Sequence, residues 1–263
     1  MSVRSRCGRA ALMLFVASLL AACNTSVVPE PPAAVPSKPV ARSDLLWHFV
    51  HDQCVPNQLA GKNPPIPCIK VDMNDGYVIF KDKNGPLQYL HMPTRHLTGL
   101  EDPELQSASH TPYFAQAWHA RQYMDRLLGS AIAVRDYAFT VNAKSGRSQN
   151  HLHIHISCIR PALRERLLAM QSQWDAQWRS VSGGINGHAY QVRTLSLDAL
   201  EQQGAIALTI ASLPHARRDM ANVSLALYPL SERQFLLFAS HRPGASAEGD
   251  FQDHRCPQLL AGR

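Results

Sequence analysis

From His151 to Ser157 the chain reads His-Leu-His-Ile-His-Ile-Ser, so imidazoles alternate with aliphatic side chains. Alternation of this kind marks a β-strand, because successive strand side chains point to opposite faces. A strand over His151 to Ser157 sets His151, His153 and His155 on one face, roughly 7 Å apart, and sends Leu152, Ile154 and Ile156 into a core. A single histidine at this spacing is ordinarily structural. Three in register are hard to account for as packing. The expectation is a wall of imidazoles on a rigid element, open to a ligand.

Imidazoles in a row serve metal ligation or phosphoryl chemistry, and their neighbours choose between the two. A zinc site wants a further Cys, Asp or Glu ligand, and the strand and its approach carry none. The approach is Asn142-Ala143-Lys144-Ser145-Gly146-Arg147-Ser148-Gln149, a turn rich in donors. Glycine lets backbone come close to a ligand, and Arg147, Ser148 and backbone N–H groups can surround an anionic oxygen. The pattern predicts a phosphate cradle.

With Gly146 and Ser148 standing before His151, the segment resembles the motif of the histidine triad superfamily of nucleotide hydrolases and transferases. Met92-Pro93-Thr94-Arg95-His96 resembles the stretch that ends an earlier strand there. Within the superfamily the chain is most similar to the CDP-diacylglycerol pyrophosphatase family. That similarity rests on Cys54-Val55-Pro56-Asn57-Gln58, Asn84-Gly85-Pro86-Leu87-Gln88-Tyr89-Leu90, the run from Gln149 to Arg160, and Asp253-His254-Arg255-Cys256.

The resemblance implies an activity: hydrolysis of the pyrophosphate bond of CDP-diacylglycerol to CMP and phosphatidate through a nucleotidyl-histidine intermediate, with no metal and no cofactor. It makes His153 the nucleophile and leaves His155 and Ser148 as donors to the phosphoryl oxygens. The other nitrogen of His153 is then oriented by His151 or by a backbone carbonyl. Asn142, Gly146 and Arg147 fall on the phosphate or ribose end. Gln88 stands where many superfamily members have a fourth histidine; it can donate a hydrogen bond but cannot carry a proton. Asp82 matches a ribose-binding aspartate if a loop is shortened, and otherwise begins the Asn84-Gly85 turn. Two other readings stay open: a hydrolase or transferase of soluble nucleotide pyrophosphates, and a non-catalytic, metal-binding lipoprotein.

The first residues bear on where such an enzyme works. Arg4, Arg6 and Arg9 precede an apolar run from Ala10 to Ala22, too short to span a bilayer comfortably. Residues 1–22 read as a signal peptide, and Leu20-Ala21-Ala22-Cys23 resembles a bacterial lipobox with Cys23 as the acylated residue; an uncleaved anchor helix is the alternative. Residues 23–42 carry Pro29, Pro31, Pro32, Pro36 and Pro39 and read as an extended tether. The expectation is export, with membrane anchoring and the domain in the periplasm. The formal charge is +6, and three of those charges sit in the leader. What remains is too mild to argue for nucleic acid, although it suits an anionic membrane surface. The partners expected are a lipid-linked nucleotide and that surface.

Apart from Cys7 and Cys23, the cysteines are Cys54, Cys68, Cys158 and Cys256. They allow three pairings. The favoured one joins Cys54 to Cys68 across a Pro- and Asn-rich loop and Cys158 to Cys256, tying the C-terminal segment to the histidine strand. A Cys158 nucleophile competes, but its side chain falls with the buried residues.

The remaining patterning predicts an α+β fold. Ser43 is expected to cap a helix bearing Leu45, Leu46, Phe49 and Val50. Strands over Tyr77 to Phe80 and Leu87 to Met92 flank Asn84-Gly85, a hairpin signal. A helix from Thr111-Pro112 to Gly129 carries Phe114, Ala117, Trp118, Met124 and Leu128. Tyr137 to Val141 then pairs with the histidine strand, giving an antiparallel meander of histidine-triad type with a helix on one face. Beyond Pro161, Leu163, Leu167, Met170, Trp174 and Trp178 predict a helical stripe that packs in the core or faces lipid. Strands follow at Gly187 to Val192, Val223 to Tyr228 and Gln234 to Ser240. Residues 43–263 are thus read as the catalytic domain, with 161–263 as a C-terminal α/β extension or second half.

Overall fold

The computed structural model describes residues 41–106 and 111–261. The leader, Cys23 and nearly all of the proline-rich segment lie outside the described residues. Nine strands form one antiparallel sheet: β1 (Cys68–Asp72), β2 (Tyr77–Lys81), β3 (Tyr89–Pro93), β4 (Tyr137–Val141), β5 (Ile154–Cys158), β6 (Arg179–Ser180), β7 (Gln191–Ser196), β8 (Val223–Pro229) and β9 (Gln234–His241). Their spatial order is β1-β2-β3-β5-β4-β8-β9-β7-β6. The histidine-bearing β5 therefore lies between β3 and β4, away from either edge.

Strand β4 also pairs with β8, in the register Thr140↔Ala226. Residues beyond 161 thus continue the same sheet, and Pro39–Arg263 forms one compact unit. Antiparallel pairing requires only short returns between β2 and β3 and between β8 and β9. Gly85, at φ 76°, makes the first of these, and a Cβ there would meet the carbonyl oxygen of His254 at 2.4 Å. Strand β1 lies outside the elements expected above although Ile69-Lys70-Val71-Asp72 alternates; a register shift between Cys68 and Lys70 leaves Cys68 and Val71 as its buried residues against β2.

One face of the sheet packs under helices Tyr113–Ala120 and Gln122–Leu128 through Ile79, Tyr89, Phe139, Ile154, Ile156, Leu225 and Leu237. The single helix expected from Thr111 to Gly129 breaks at Arg121. The guanidinium of Arg121 lies 3.5 Å from the Trp118 ring centroid and donates to the Trp118 carbonyl at 2.9 Å. On the opposite face two apolar clusters stand apart. One packs Leu46, Val50, Val71, Val78, Leu90 and Met92 under an N-terminal helical segment, residues 42–59. The other packs Ala138, Leu163, Leu167, Trp174, Ala226, Phe238 and Phe251.

That N-terminal segment passes through 3-10, α and π turns before Val55–Leu59, in which Pro56 occupies the first turn. The Ser43 hydroxyl caps nothing; it donates to Asp44 at 3.2 Å, while the Ser43 carbonyl accepts from the Asn150 amide at 2.6 Å. The helix after Pro161 ends at Met170. Asp175, which accepts from the Gln177 amide and from Arg179, turns the chain into β6. Trp174 and Trp178 consequently lie off the helix. Trp174 is buried against Phe238, and the Trp178 indole donates to Ser212 at 2.8 Å. The stripe beyond Pro161 is core. Strand β7 starts at Gln191 because Ile185 and His188 first close a turn.

The structure joins Cys54 to Cys68 and Cys158 to Cys256. Cys158 is therefore a buried disulfide sulfur with no free thiol.

Candidate active site

One cross-sheet row explains where the site sits. Phe80, Leu90, His155, Thr140, Ala226, Phe238 and Val192 are direct neighbours across successive strands. Apolar residues at either end of the row enter the two clusters just described, while His155 and Thr140 occupy the gap between them. Above the gap lies a cleft of about 960 Å³. His153, His155, Asn142, Gly146, Ser148 and Glu248 form its polar wall. Leu45, Leu46, Phe49, Phe80 and Leu90 line its other side, with Lys81 and Asp82 beside them.

The strand expected from His151 begins three residues later. Pairing of β3 with β5 ends at His91↔Ile154, near Pro93, which has no N–H for a ladder. The chain before Ile154 bonds elsewhere, with the Leu152 amide donating to the Leu97 carbonyl at 2.6 Å. Nor is the histidine face open: His151, His153 and His155 are all buried. Only His153 and His155 reach the cleft. His151 stacks with His96 and lies 5.3 Å from the Trp47 ring, and its Nε2 donates to the Pro93 carbonyl at 3.0 Å.

Nδ1 of His153 lies 2.5 Å from the backbone carbonyl of His151. A carbonyl can only accept, so Nδ1 carries the proton and Nε2 keeps its lone pair. Of the two orienting groups foreseen, the structure uses the backbone oxygen, and the His151 ring takes no part. Burial, and then the neighbouring His155, pull the His153 pKa down to about 4, so its ring is neutral near pH 7. Burial likewise brings His155 to about 4 against the opposing pull of Glu248, and His151 to about 3.

His155 is held in the opposite tautomer. The buried amide of Gln88 donates through Nε2 to Asp82 at 2.7 Å and lies 3.1 Å from His155 Nδ1. Nδ1 therefore accepts, leaving the proton on Nε2. That Nε2 has no aligned acceptor, although Glu248 Oε2 is 3.2 Å away. Asp82 begins the Asn84-Gly85 turn, one oxygen accepting from the Asn84 amide at 3.0 Å, and the residue also lines the cleft.

The approach loop is shaped by the C-terminal segment. A Cβ on Gly146 would sit 2.3 Å from the Ala245 carbonyl oxygen, and the Ala143 amide donates to that same oxygen at 2.9 Å. Gln149 accepts from the Leu46 amide and donates to the Arg42 carbonyl, which pins the N-terminal helical segment over the cleft. Arg147 departs from expectation. Its buried guanidinium makes a two-pronged pair with Glu101, at 2.8 and 2.6 Å, and faces away from the cleft. A guanidinium already matched to a carboxylate in this way is not a free phosphate ligand.

Sequence reasoning missed Glu248 as a site residue. It opens the short helix Ala247–Phe251, where Ser246 accepts from the Gly249 amide. An acid in the first turn of a Ser-capped helix is commonplace, so nothing local marks it. Asn142 grips it twice: Nδ2 donates to Oε2 at 2.9 Å, and the Glu248 amide donates to Oδ1 at 3.1 Å. His254 donates to Oε1 at 2.8 Å and lies 3.0 Å from Ser157 Oγ through its other nitrogen. Burial raises the Glu248 pKa, but hydrogen bonds from His254 and Asn142 and the proximity of His155 outweigh it and hold it near 2. Among the described residues no three His, Cys, Asp or Glu side chains gather as a metal site.

A curated CDP-diacylglycerol pyrophosphatase of Yersinia pestis is 38% identical over 224 residues, 83% of this chain and 86% of that one. Among solved structures, a DUF4931 family protein from Bacillus cereus covers 69% of this chain and 88% of its own at 14% identity and a TM-score of 0.45. Another, Hnt3, covers 47% of this chain and 66% of its own at 18% identity and a TM-score of 0.31. The family model for CDP-diacylglycerol pyrophosphatase matches residues 41–260, a span that takes in every strand and the whole cleft, and the chain belongs to that family.

Proposed function

We propose that the chain hydrolyses the pyrophosphate bond of CDP-diacylglycerol, releasing CMP and phosphatidate, with His153 as the nucleophile. The observation that carries this reading is the Nδ1–H of His153 given to the His151 carbonyl, which leaves a neutral Nε2 lone pair beside the cleft. Nε2 attacks the cytidylyl phosphorus; an N–P bond forms as the P–O bond to phosphatidate breaks, and the electron pair departs with phosphatidate. Water then attacks the phosphorus, the N–P pair returns to Nε2, and the water gives up a proton. Splitting the displacement in this way replaces one slow step by two easier ones.

His155 Nε2–H and the Ser148 hydroxyl are the donors for the equatorial oxygens, whose charge is the main quantity to stabilise in phosphoryl transfer. Gly146 and Asn142 bound the phosphate end. The apolar wall of Leu45, Leu46, Phe49, Phe80 and Leu90 suits the lipid side of the substrate. It replaces the stripe beyond Pro161 as the surface on which a lipid preference rests.

The anchoring and export read from the leader belong to the same proposal. Support comes from the two disulfides, which form in oxidising compartments. Among the described residues no helix is long and apolar enough to cross a membrane, so anchoring falls to Cys23 and the leader. Labelled palmitate should enter the wild type and be lost in Cys23→Ser. The catalytic test is CMP release from CDP-diacylglycerol in mixed micelles, with alkali-stable label from the cytidine moiety trapped on His153. Equal efficiency on soluble nucleotide pyrophosphates would move the reading to those substrates.

A further inference from the structure

The second half of the reaction needs a proton acceptor, and the histidines cannot supply one. His153 Nε2 is bonded to phosphorus in the intermediate, and its Nδ1 proton is committed to the His151 carbonyl. His155 accepts from Gln88 at Nδ1 and carries its proton on Nε2, so it presents only a donor to the cleft. Two carboxylates line the cleft among the described residues, Asp82 and Glu248. Asp82 is tied to the Asn84 turn and to Gln88, which meets His155 at Nδ1, so it stands on the side of that ring away from the Nε2 proton. Glu248 has an oxygen 3.2 Å from His155 Nε2, on the ring whose centroid lies 4.8 Å from that of His153.

We propose that Glu248 is the base that takes the proton of the attacking water when the cytidylyl-histidine is hydrolysed; this rests on the covalent reading given above. Two groups fix the carboxylate, the Asn142 amide and the His254 imidazole, and the Glu248 backbone N–H donates to Asn142 Oδ1 as well. It is charged in the free enzyme and so ready to accept. The anionic phosphoryl group beside it in the intermediate raises its affinity for a proton, as like charges do. Water oxygen bonds to phosphorus, the N–P pair returns to His153 Nε2, and the water proton passes to Glu248 Oε2 and then to solvent. Formation of the intermediate needs no such acceptor, because phosphatidate leaves as an anion.

The two half-reactions should therefore separate in Glu248→Gln. In rapid-quench experiments with CDP-diacylglycerol labelled in the cytidine, this variant should give a stoichiometric burst of phosphatidate and accumulate label on protein. Its CMP release should fall by about 10²-fold or more, the usual scale of general-base assistance. Glu248→Asp, which keeps a carboxylate, should recover part of the second step. The assignment fails if Glu248→Gln releases CMP at the wild-type rate, or if Gln and Asp slow the burst and the release equally, as a purely structural residue would. Absence of a burst in every variant, together with an active His153→Ala, overturns the covalent reading and the assignment with it.

Discussion

Gln88, the residue before β3, reaches His155 on β5, its amide nitrogen 3.1 Å from Nδ1. A histidine here could exchange protons with that ring; a glutamine amide cannot, and its nitrogen, turned toward the Asp82 carboxylate, donates to the ring and so fixes which nitrogen of His155 bears hydrogen. Replacing Gln88 by Leu strands a buried imidazole nitrogen and a buried Asp82 oxygen, each worth about 1 to 3 kcal/mol when left unpaired. Gln88→Leu should lower the urea midpoint and reduce kcat by at least tenfold. Unchanged kcat in a stable Gln88→Leu protein would show that the His155 tautomer is set by something else.

His153→Ala should abolish CMP release while the near-UV circular dichroism stays native. His155→Ala should retain a trace, since losing one charge-stabilising donor costs about 10² to 10³ in rate. His151→Ala should differ from both. It removes a buried ring packed among Trp47 and His96 but keeps the carbonyl that orients His153. Its main effect should appear in denaturation, with a smaller loss of kcat; equal loss in all three variants would contradict the geometry.

Protonation sets an acid limit. Burial depresses the pKa of His153 and His155 to about 4, and the proposed attack by His153 needs its ring neutral, so kcat/KM should fall on acidification near pH 4, well below the ordinary histidine value. The unfolded chain binds protons at these positions near pH 6.5 while the folded chain does not, so stability is full above that pH and declines from there toward pH 4. His151, at about 3, and His91, also at about 4 through burial, add to the same trend. Urea midpoints should accordingly be lower at pH 5 than at pH 7.5; the reverse order would mean that these imidazoles are charged in the fold.

The apolar wall offers a test of lipid preference. Phe49 stacks on Phe80 at 5.4 Å between ring centroids, and both line the cleft. Phe49→Ala should raise KM for CDP-diacylglycerol severalfold, at about 0.8 kcal/mol for each lipid methylene no longer covered. Turnover of a water-soluble CDP-alcohol should change little. A parallel loss on both substrates would mean that Phe49 shapes the cleft without touching lipid.

Cys158–Cys256 closes a sequence separation of 98 residues and holds the segment that carries His254 against β5. Its removal should cost about 2 to 5 kcal/mol. Cys256→Ser should also lose activity below its unfolding midpoint, because His254 supports Glu248. Full activity in that variant would show that the hydrogen bonds alone hold the segment.

Much of this arrangement was legible from alternation and turn chemistry. The Ile154-His155-Ile156 pattern places β5, and Asn84-Gly85 marks the return before β3. Where pairing stops is another matter. It is decided by Pro93 on the neighbouring strand, a partner that the histidine segment does not reveal, and so His151 and His153 fall outside the ladder. Arg147 looked like an anion ligand because Glu101, its actual partner, is distant in sequence. Glu248 was invisible for the same reason. Its contacts with Asn142 span 106 residues, and no periodicity reaches that far. The tryptophans after Pro161 misled differently: they keep a helical spacing past the point where Asp175 diverts the backbone.

The embrace of the approach loop by residues 244–248 has a temporal consequence. During synthesis the strands through β5, and with them the imidazoles of His153 and His155, emerge long before Ala245 and Glu248 do. Until those late residues arrive, Gly146 lacks the carbonyl it packs against and Asn142 lacks its carboxylate. A growing chain thus carries its histidines in an unfinished cleft until the segment that holds Ala245 and Glu248 has been added.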